Sequence, residues 1–153
     1  MSGGINNVTV KSCTFEDTFS IASIKAVRGR GSYVKNIRYE NCSMINRDCE
    51  TQASKWFRGA VYMDGFYGKE TYEFNSDTLC EINETTPVVE NIHLENITLD
   101  TAEGYAIYLC GLPEMPYKNV TLKKIKAKGP NGFFQKNMEN LQLIDVEVNG
   151  IKL

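Results

Sequence analysis

Asn36-Ile-Arg-Tyr-Glu-Asn-Cys-Ser-Met44 decides the fold, because its pattern returns along the chain. It recurs as Asn7-Val-Thr-Val-Lys-Ser-Cys-Thr-Phe15, Asn91-Ile-His-Leu-Glu-Asn-Ile-Thr-Leu99, Asn119-Val-Thr-Leu-Lys-Lys-Ile-Lys-Ala127 and Asn140-Leu-Gln-Leu-Ile-Asp-Val-Glu-Val148. Each of these five nine-residue units opens on asparagine and is apolar at its second, fourth, seventh and ninth positions. Alternation with a period of two runs, slips in phase across two residues and resumes, which predicts two short strands meeting at a bend. A helix would place its apolar residues at three- and four-residue intervals, and the β-branched and aromatic side chains in these slots also favour strand.

The units start 29, 55, 28 and 21 residues apart. The 55-residue interval reads as about two periods, with Ala60-Val61-Tyr62-Met63 as a poorly matching middle turn. Between units, Ser20-Ile21-Ala22-Ser23-Ile24-Lys25, the same Ala60 stretch and Tyr105-Ala106-Ile107-Tyr108-Leu109 also read as short strands. A chain that returns like slots onto like slots predicts an all-β parallel β-helix with rungs about 4.8 Å apart. Five or six coils would make a rod roughly 25 to 30 Å long. A leucine-rich repeat is the competing solenoid, since Ile5, Val8, Val10, Cys13 and Phe15 fit its spacing, and Val34, Val89, Tyr117 and Met138 fill the leading slot of the other units. The scarcity of leucine in the slots, the cysteine or isoleucine where asparagine is usual, and the strand-like intervening segments favour the β-helix.

The 153 residues are 42% hydrophobic and 24% charged, the composition and length of one globular unit. With 17 basic against 19 acidic residues and no polybasic run, no field for nucleic acid is expected. No apolar stretch long enough to cross a membrane occurs, and Met1-Ser2-Gly3-Gly4-Ile5-Asn6-Asn7 has neither the basic flank nor the apolar run of an export signal, so neither a membrane partner nor a localisation can be assigned. The single histidine, His93, excludes a two-histidine zinc site, and five cysteines without a C-x-x-C pair exclude a zinc ribbon and a thioredoxin motif. No metal or cofactor is expected. Cys13 and Cys42 occupy the same repeat slot and read as small buried hydrophobes.

The run from Met1 to Val10 with Cys13-Thr14-Phe15, then Ser23-Ile24-Lys25 and Arg28-Gly29-Arg30-Gly31, resembles the pectin-degrading polygalacturonases of glycoside hydrolase family 28. Glu84-Thr85-Thr86-Pro87 and Ala106-Ile107-Tyr108-Leu109-Cys110-Gly111-Leu112-Pro113-Glu114-Met115 are similar to the C-terminal coils of bacterial members, in the same order. The resemblance implies a right-handed, pectin lyase-like parallel β-helix, and a relation to enzymes that hydrolyse α-1,4 linkages of galacturonan with inversion. That chemistry needs an acid and a base carboxyl about 6.5 to 9.5 Å apart. In the family these are aspartates, accompanied by a histidine in a Gly-His-Gly element, all upstream of the Ser-Gly-Gly run. The chain opens in mid-pattern, so it is expected to be the C-terminal portion of a longer β-helix, with residues 1–153 as a single unit and no catalytic residue of its own. His93, between Ile92 and Leu94, does not match the family histidine and reads as a solvated surface side chain.

Three substrate-binding positions follow from the resemblance. Lys25 matches the lysine of the family's arginine-x-lysine element, which holds a substrate carboxylate, whereas Ser23 stands where the arginine would be. Residues 23 and 25 share a strand face, so their side chains would meet one sugar. The loss of arginine removes a bidentate carboxylate contact that a lysine cannot replace. Tyr67, in Asp64-Gly65-Phe66-Tyr67-Gly68, is similar to a family tyrosine near the substrate. The implied partner is an acidic polysaccharide or oligogalacturonide. Arg28 and Arg30, alternating with glycine, read as solvated turn residues, with a basic turn bordering an acidic-polymer cleft as the alternative; Glu16-Asp17 reads as a turn, and Asp64 and Asp100 have no visible partner. Of five N-x-S/T sequons, at Asn7, Asn41, Asn83, Asn96 and Asn119, four arise from the repeat itself. The alternative to an enzyme-derived fragment is a noncatalytic carbohydrate-binding or scaffold solenoid. Self-association is expected through the open apolar slots of the first rung, such as Val8 and Val10.

Overall fold

The computed structural model describes residues 3–47, 59–67 and 78–153; Met1, Ser2 and Cys49 lie outside the described residues. Among the described residues the regular structure is all β: β1 (Ile5–Lys11), β2 (Thr14–Glu16), β3 (Ala22–Lys25), β4 (Tyr33–Asn46), β5 (Gly59–Asp64), β6 (Val88–Thr101), β7 (Tyr105–Cys110), β8 (Tyr117–Lys128), β9 (Phe133–Lys136), β10 (Met138–Val148) and β11 (Ile151–Lys152). No described residue is helical, in contrast to the helical connections of many leucine-rich repeats.

Two sheets hold these strands. In the first, β1, β4, β6, β8 and β10 lie side by side, β2 continues the β1 row along β4, and β11 folds back on the end of β10. The second has the order β3, β5, β7, β9. Every pairing is parallel except that of β10 with β11. From β2 to β10 the chain changes sheet at each successive strand, so neighbours within a row come from successive returns of the chain.

The register lays repeat on repeat. Val8 pairs with Ile37, Ile37 with Ile92, Ile92 with Val120 and Val120 with Leu141, and the ninth slots run Phe15, Met44, Leu99, Ala127, Val148 in the same way. The phase slip has a backbone cause. The first residue of each unit, Asn7, Asn36, Asn91, Asn119 and Asn140, sits at φ between 53° and 59°. The sixth, Ser12, Asn41, Asn96, Lys124 and Asp145, sits between 52° and 55°. A left-handed residue turns the strand and resets which side faces inward, and asparagine tolerates that conformation better than most residues. In the first unit the bend at Ser12 separates β1 from β2, whereas in the later units the strand runs through it. The opening asparagines of the later units also form a ladder: Asn140 Nδ2 donates to Asn119 Oδ1 at 2.8 Å, Asn119 to Asn91 at 3.1 Å and Asn91 to Asn36 at 3.1 Å, and Asn36 continues it to Asn6, the residue before the first opening asparagine, at 2.8 Å.

The core lies between the sheets. Ile92, Leu94, Ile97 and Leu99 from the first sheet are packed in one buried cluster with Ala22, Val61, Met63, Ile107 and Leu109 from the second. Truncating one of the larger of these to alanine costs about 2 to 5 kcal/mol in a typical core. The other face of the second sheet carries an aromatic row beside polar positions: Tyr62, Tyr108 and Phe134 are successive register partners, and the Tyr108 and Phe134 rings stack with centroids 4.9 Å apart.

One expectation is corrected. β4 bonds directly to β6, Ile37 to Ile92, so the 55-residue interval contains no extra turn of the repeat. Ala60-Val61-Tyr62-Met63 belongs to the second sheet, where Val61 pairs with Ala22 and Ile107. The additional sequence lies on either side of β5, between β4 and β6, and among the described residues the first sheet has five returns of the chain.

Candidate functional site

The outer face of β3 carries two of the candidate residues. Alternation along Ala22-Ser23-Ile24-Lys25 buries Ala22 and Ile24 and exposes Ser23 and Lys25 on one side. Lys25 Nζ stands 4.6 Å from the centroid of the Tyr67 ring and 5.8 Å from that of Phe19. The sequence-derived residues Lys25 and Tyr67 therefore meet, with Ser23 one position along the same face. Among the described residues Lys25 has no carboxylate partner, so its charge is held against aromatic faces and remains available to an anion.

Tyr67 is aimed by the turn after β5. Asp64 is wholly buried, pairs in register with Lys25, and accepts hydrogen bonds from the Tyr62 hydroxyl at 2.7 Å and from the Phe66 amide at 2.8 Å. The bond to Phe66 closes the turn that leads into Tyr67, while the Gly65 amide donates to the Cys110 carbonyl at 2.7 Å. Asp64 thus has partners that its sequence context did not reveal. Cys110 is wholly buried, and burial pushes its thiol up to about 12, with a further contribution from the Asp64 charge, which keeps it in the thiol form at neutral pH.

The two arginines of Arg28-Gly29-Arg30-Gly31 differ. Arg28 makes a two-pronged pair with Glu114, at 2.5 Å and 2.8 Å, donates to the Thr78 carbonyl at 2.8 Å, and lies 5.2 Å over the Phe66 ring. The reading of Arg28 as a solvated turn residue is therefore corrected: it locks the Leu112–Pro116 segment to the turn after β3. The Arg28 guanidinium holds the Glu114 carboxyl below its ordinary value. Arg30 is exposed, as expected.

Elsewhere, His93 is half-buried and its Nε2 lies 3.0 Å from Glu95, so it is not a freely solvated side chain. Hydrogen bonds from Lys123 and His93 hold the Glu95 carboxyl at about 2. Asp100 pairs with Arg47 at 2.8 and 3.0 Å. Glu16 ends β2 and Asp17 sits at a left-handed bend, in keeping with a turn. Cys42 is buried but Cys13 only partly so, and neither is in a disulfide.

Sequence reasoning did not find Phe19 or Glu114. Phe19 lies in no repeat slot, and Glu114 is 86 residues from the arginine it pairs with, in a stretch whose prolines mark only a turn. No protein-family profile matches the chain, and comparison with curated proteins and with solved structures finds no match.

Proposed function

We propose that this chain is a right-handed parallel β-helix related to the polygalacturonases of glycoside hydrolase family 28, and that it supplies a substrate-binding wall without the catalytic aspartates. Alternation of successive strands between two parallel sheets supports the winding, and its hand follows the strong preference of parallel crossovers. The observation that carries the functional reading is the meeting of Lys25 with Tyr67 on the exposed face of β3: a cation without a carboxylate partner among the described residues, beside an aromatic ring. A uronate offers both features such a place selects, a carboxylate for the ammonium and a ring edge for the aromatic.

On this reading the enzyme type is a hydrolase of pectin, and the isolated polypeptide binds oligogalacturonates without cleaving them. Titration calorimetry with trigalacturonate should give binding that Lys25→Ala weakens at least fivefold, with no release of reducing ends by either protein. Equal affinity in the variant, or hydrolysis by the unaltered chain above that of Lys25→Ala, would sink the proposal. Ser23 in place of arginine favours a second reading, a noncatalytic carbohydrate-binding solenoid. The in-frame nucleotide sequence preceding Met1 separates the two: a Gly-His-Gly element with an aspartate pair there supports the enzyme.

A further inference from the structure

A second cation stands beside Lys25. A cleft of about 110 Å³ at the end of β3 is lined by Lys25, Arg30, Tyr33, Ile5 and Pro87 among others, and no aspartate or glutamate contributes to its lining. Neither Lys25 nor Arg30 has an ion-pair partner among the described residues. Lys11, Lys35, Arg38, Arg47, Lys118 and Lys123 each have a carboxylate within reach, whereas Lys124, Lys126, Lys128 and Lys152 have no ion pair among the described residues; what sets Lys25 and Arg30 apart is that they share a cleft lined by no carboxylate.

The turn that presents Arg30 is fixed. The Gly29 and Gly31 amides both donate to the Thr85 carbonyl, at 3.1 Å and 2.8 Å, and both glycines have positive φ, 84° and 64°. A Cβ on Gly31 would lie 2.4 Å from the Glu84 carbonyl oxygen, so only glycine lets the turn approach that loop. Arg28, two residues earlier, is occupied by Glu114. The turn therefore commits one arginine to structure and leaves the other at the cleft.

We propose that Lys25 and Arg30 form an anion subsite that takes the carboxylate of an acidic sugar, with Arg30 supplying the guanidinium absent at position 23. The identity of the ligand rests on the function proposed above; the subsite itself rests on the cleft. Its volume is that of about four water molecules, which suits a carboxylate and the ring edge that bears it but not a whole oligosaccharide. A guanidinium can grip a carboxylate through two parallel hydrogen bonds, and a turn already pinned in place loses little freedom on binding.

The test is calorimetry on the full chain with three probes: trigalacturonate, its methyl ester, and malonate as a carboxylate without a sugar. Arg30→Ala should weaken trigalacturonate at least fivefold, Arg30→Lys should weaken it less, and the methyl ester should not respond to either change. An unchanged thermal midpoint in Arg30→Ala shows that the loss is local. If Arg30→Ala binds trigalacturonate like the unaltered chain while Lys25→Ala does not, the subsite is refuted and the function above stands. If the unaltered chain ignores trigalacturonate but binds malonate in an Arg30-dependent way, the subsite stands and that function falls. Absence of both kinds of binding overturns both.

Discussion

Asn91 shows how one residue type can satisfy two demands of this structure. Its backbone is left-handed at φ 59°, and its side chain donates to Asn36 and accepts from Asn119, at 3.1 Å each. Alanine would meet neither demand: the left-handed conformation costs about 1 kcal/mol or more, and the two bonds contribute about 1 kcal/mol each at most. Asn91→Ala is expected to lose roughly 2 kcal/mol in urea denaturation, and Asn91→Gly, which restores the backbone but not the bonds, about half of that. Equal losses would mean that the backbone contributes nothing. The asparagine at the first slot was legible because it repeats without exception. The left-handed sixth slot was not legible as a residue type, since serine, asparagine, lysine and aspartate all occupy it; only the slip in alternation betrayed it. The sequons share this origin. Asn96 Nδ2 is engaged with Asn41 Oδ1 at 2.7 Å, and Asn119 Nδ2 with Asn91, so these amides serve the stack.

At the scale of elements, the turn after β3 and the Leu112–Pro116 segment are joined by Arg28 and Glu114. The Glu114 side chain is only 3% exposed. Removing the arginine would leave that carboxylate buried without its counter-charge, a change that typically costs about 3 kcal/mol. Arg28→Ala is therefore expected to be far less stable than Arg30→Ala, which should stay within about 0.5 kcal/mol of the unaltered chain because its side chain is exposed. Comparable stabilities in denaturant would contradict the division of labour between the two arginines. From sequence they were indistinguishable, because what separates them is a partner 86 residues away. Three strands of the second sheet, β3, β5 and β7, could in contrast be read from their apolar runs, whereas β9 was not read. The 55-residue interval misled because spacing alone does not distinguish an additional return of the chain from longer connections; the direct pairing of Ile37 with Ile92 does.

For the whole molecule, the rows of strands have edges. Among the described residues β1 has one neighbouring row in its sheet, and Ile5 and Val8 on it are 50% and 39% exposed, while Ile37 and Ile92, the counterparts of Val8, and Val89, a counterpart of Ile5, are buried. An exposed parallel edge with apolar side chains is a template for another chain. Val8→Lys should lower the apparent mass at high concentration in light scattering if this edge drives association; a monomer in both proteins would remove the edge from consideration. Which residues fill this edge was legible in the repeat, because each slot of β1 has counterparts further along. The proposed site was named from the resemblance as Ser23, Lys25 and Tyr67, of which the structure brings Lys25 and Tyr67 together; the aromatic at 19 and the cleft beside Arg30 depend on how separate connections converge. The slot-over-slot register has a last consequence, for change over evolutionary time. A one-residue slip in any row would turn its core side chains to the solvent, whereas the loss or gain of one whole return would bring equivalent slots back into apposition. Length in such a chain is quantised: within the rows it can be revised by the unit but hardly at all by the residue.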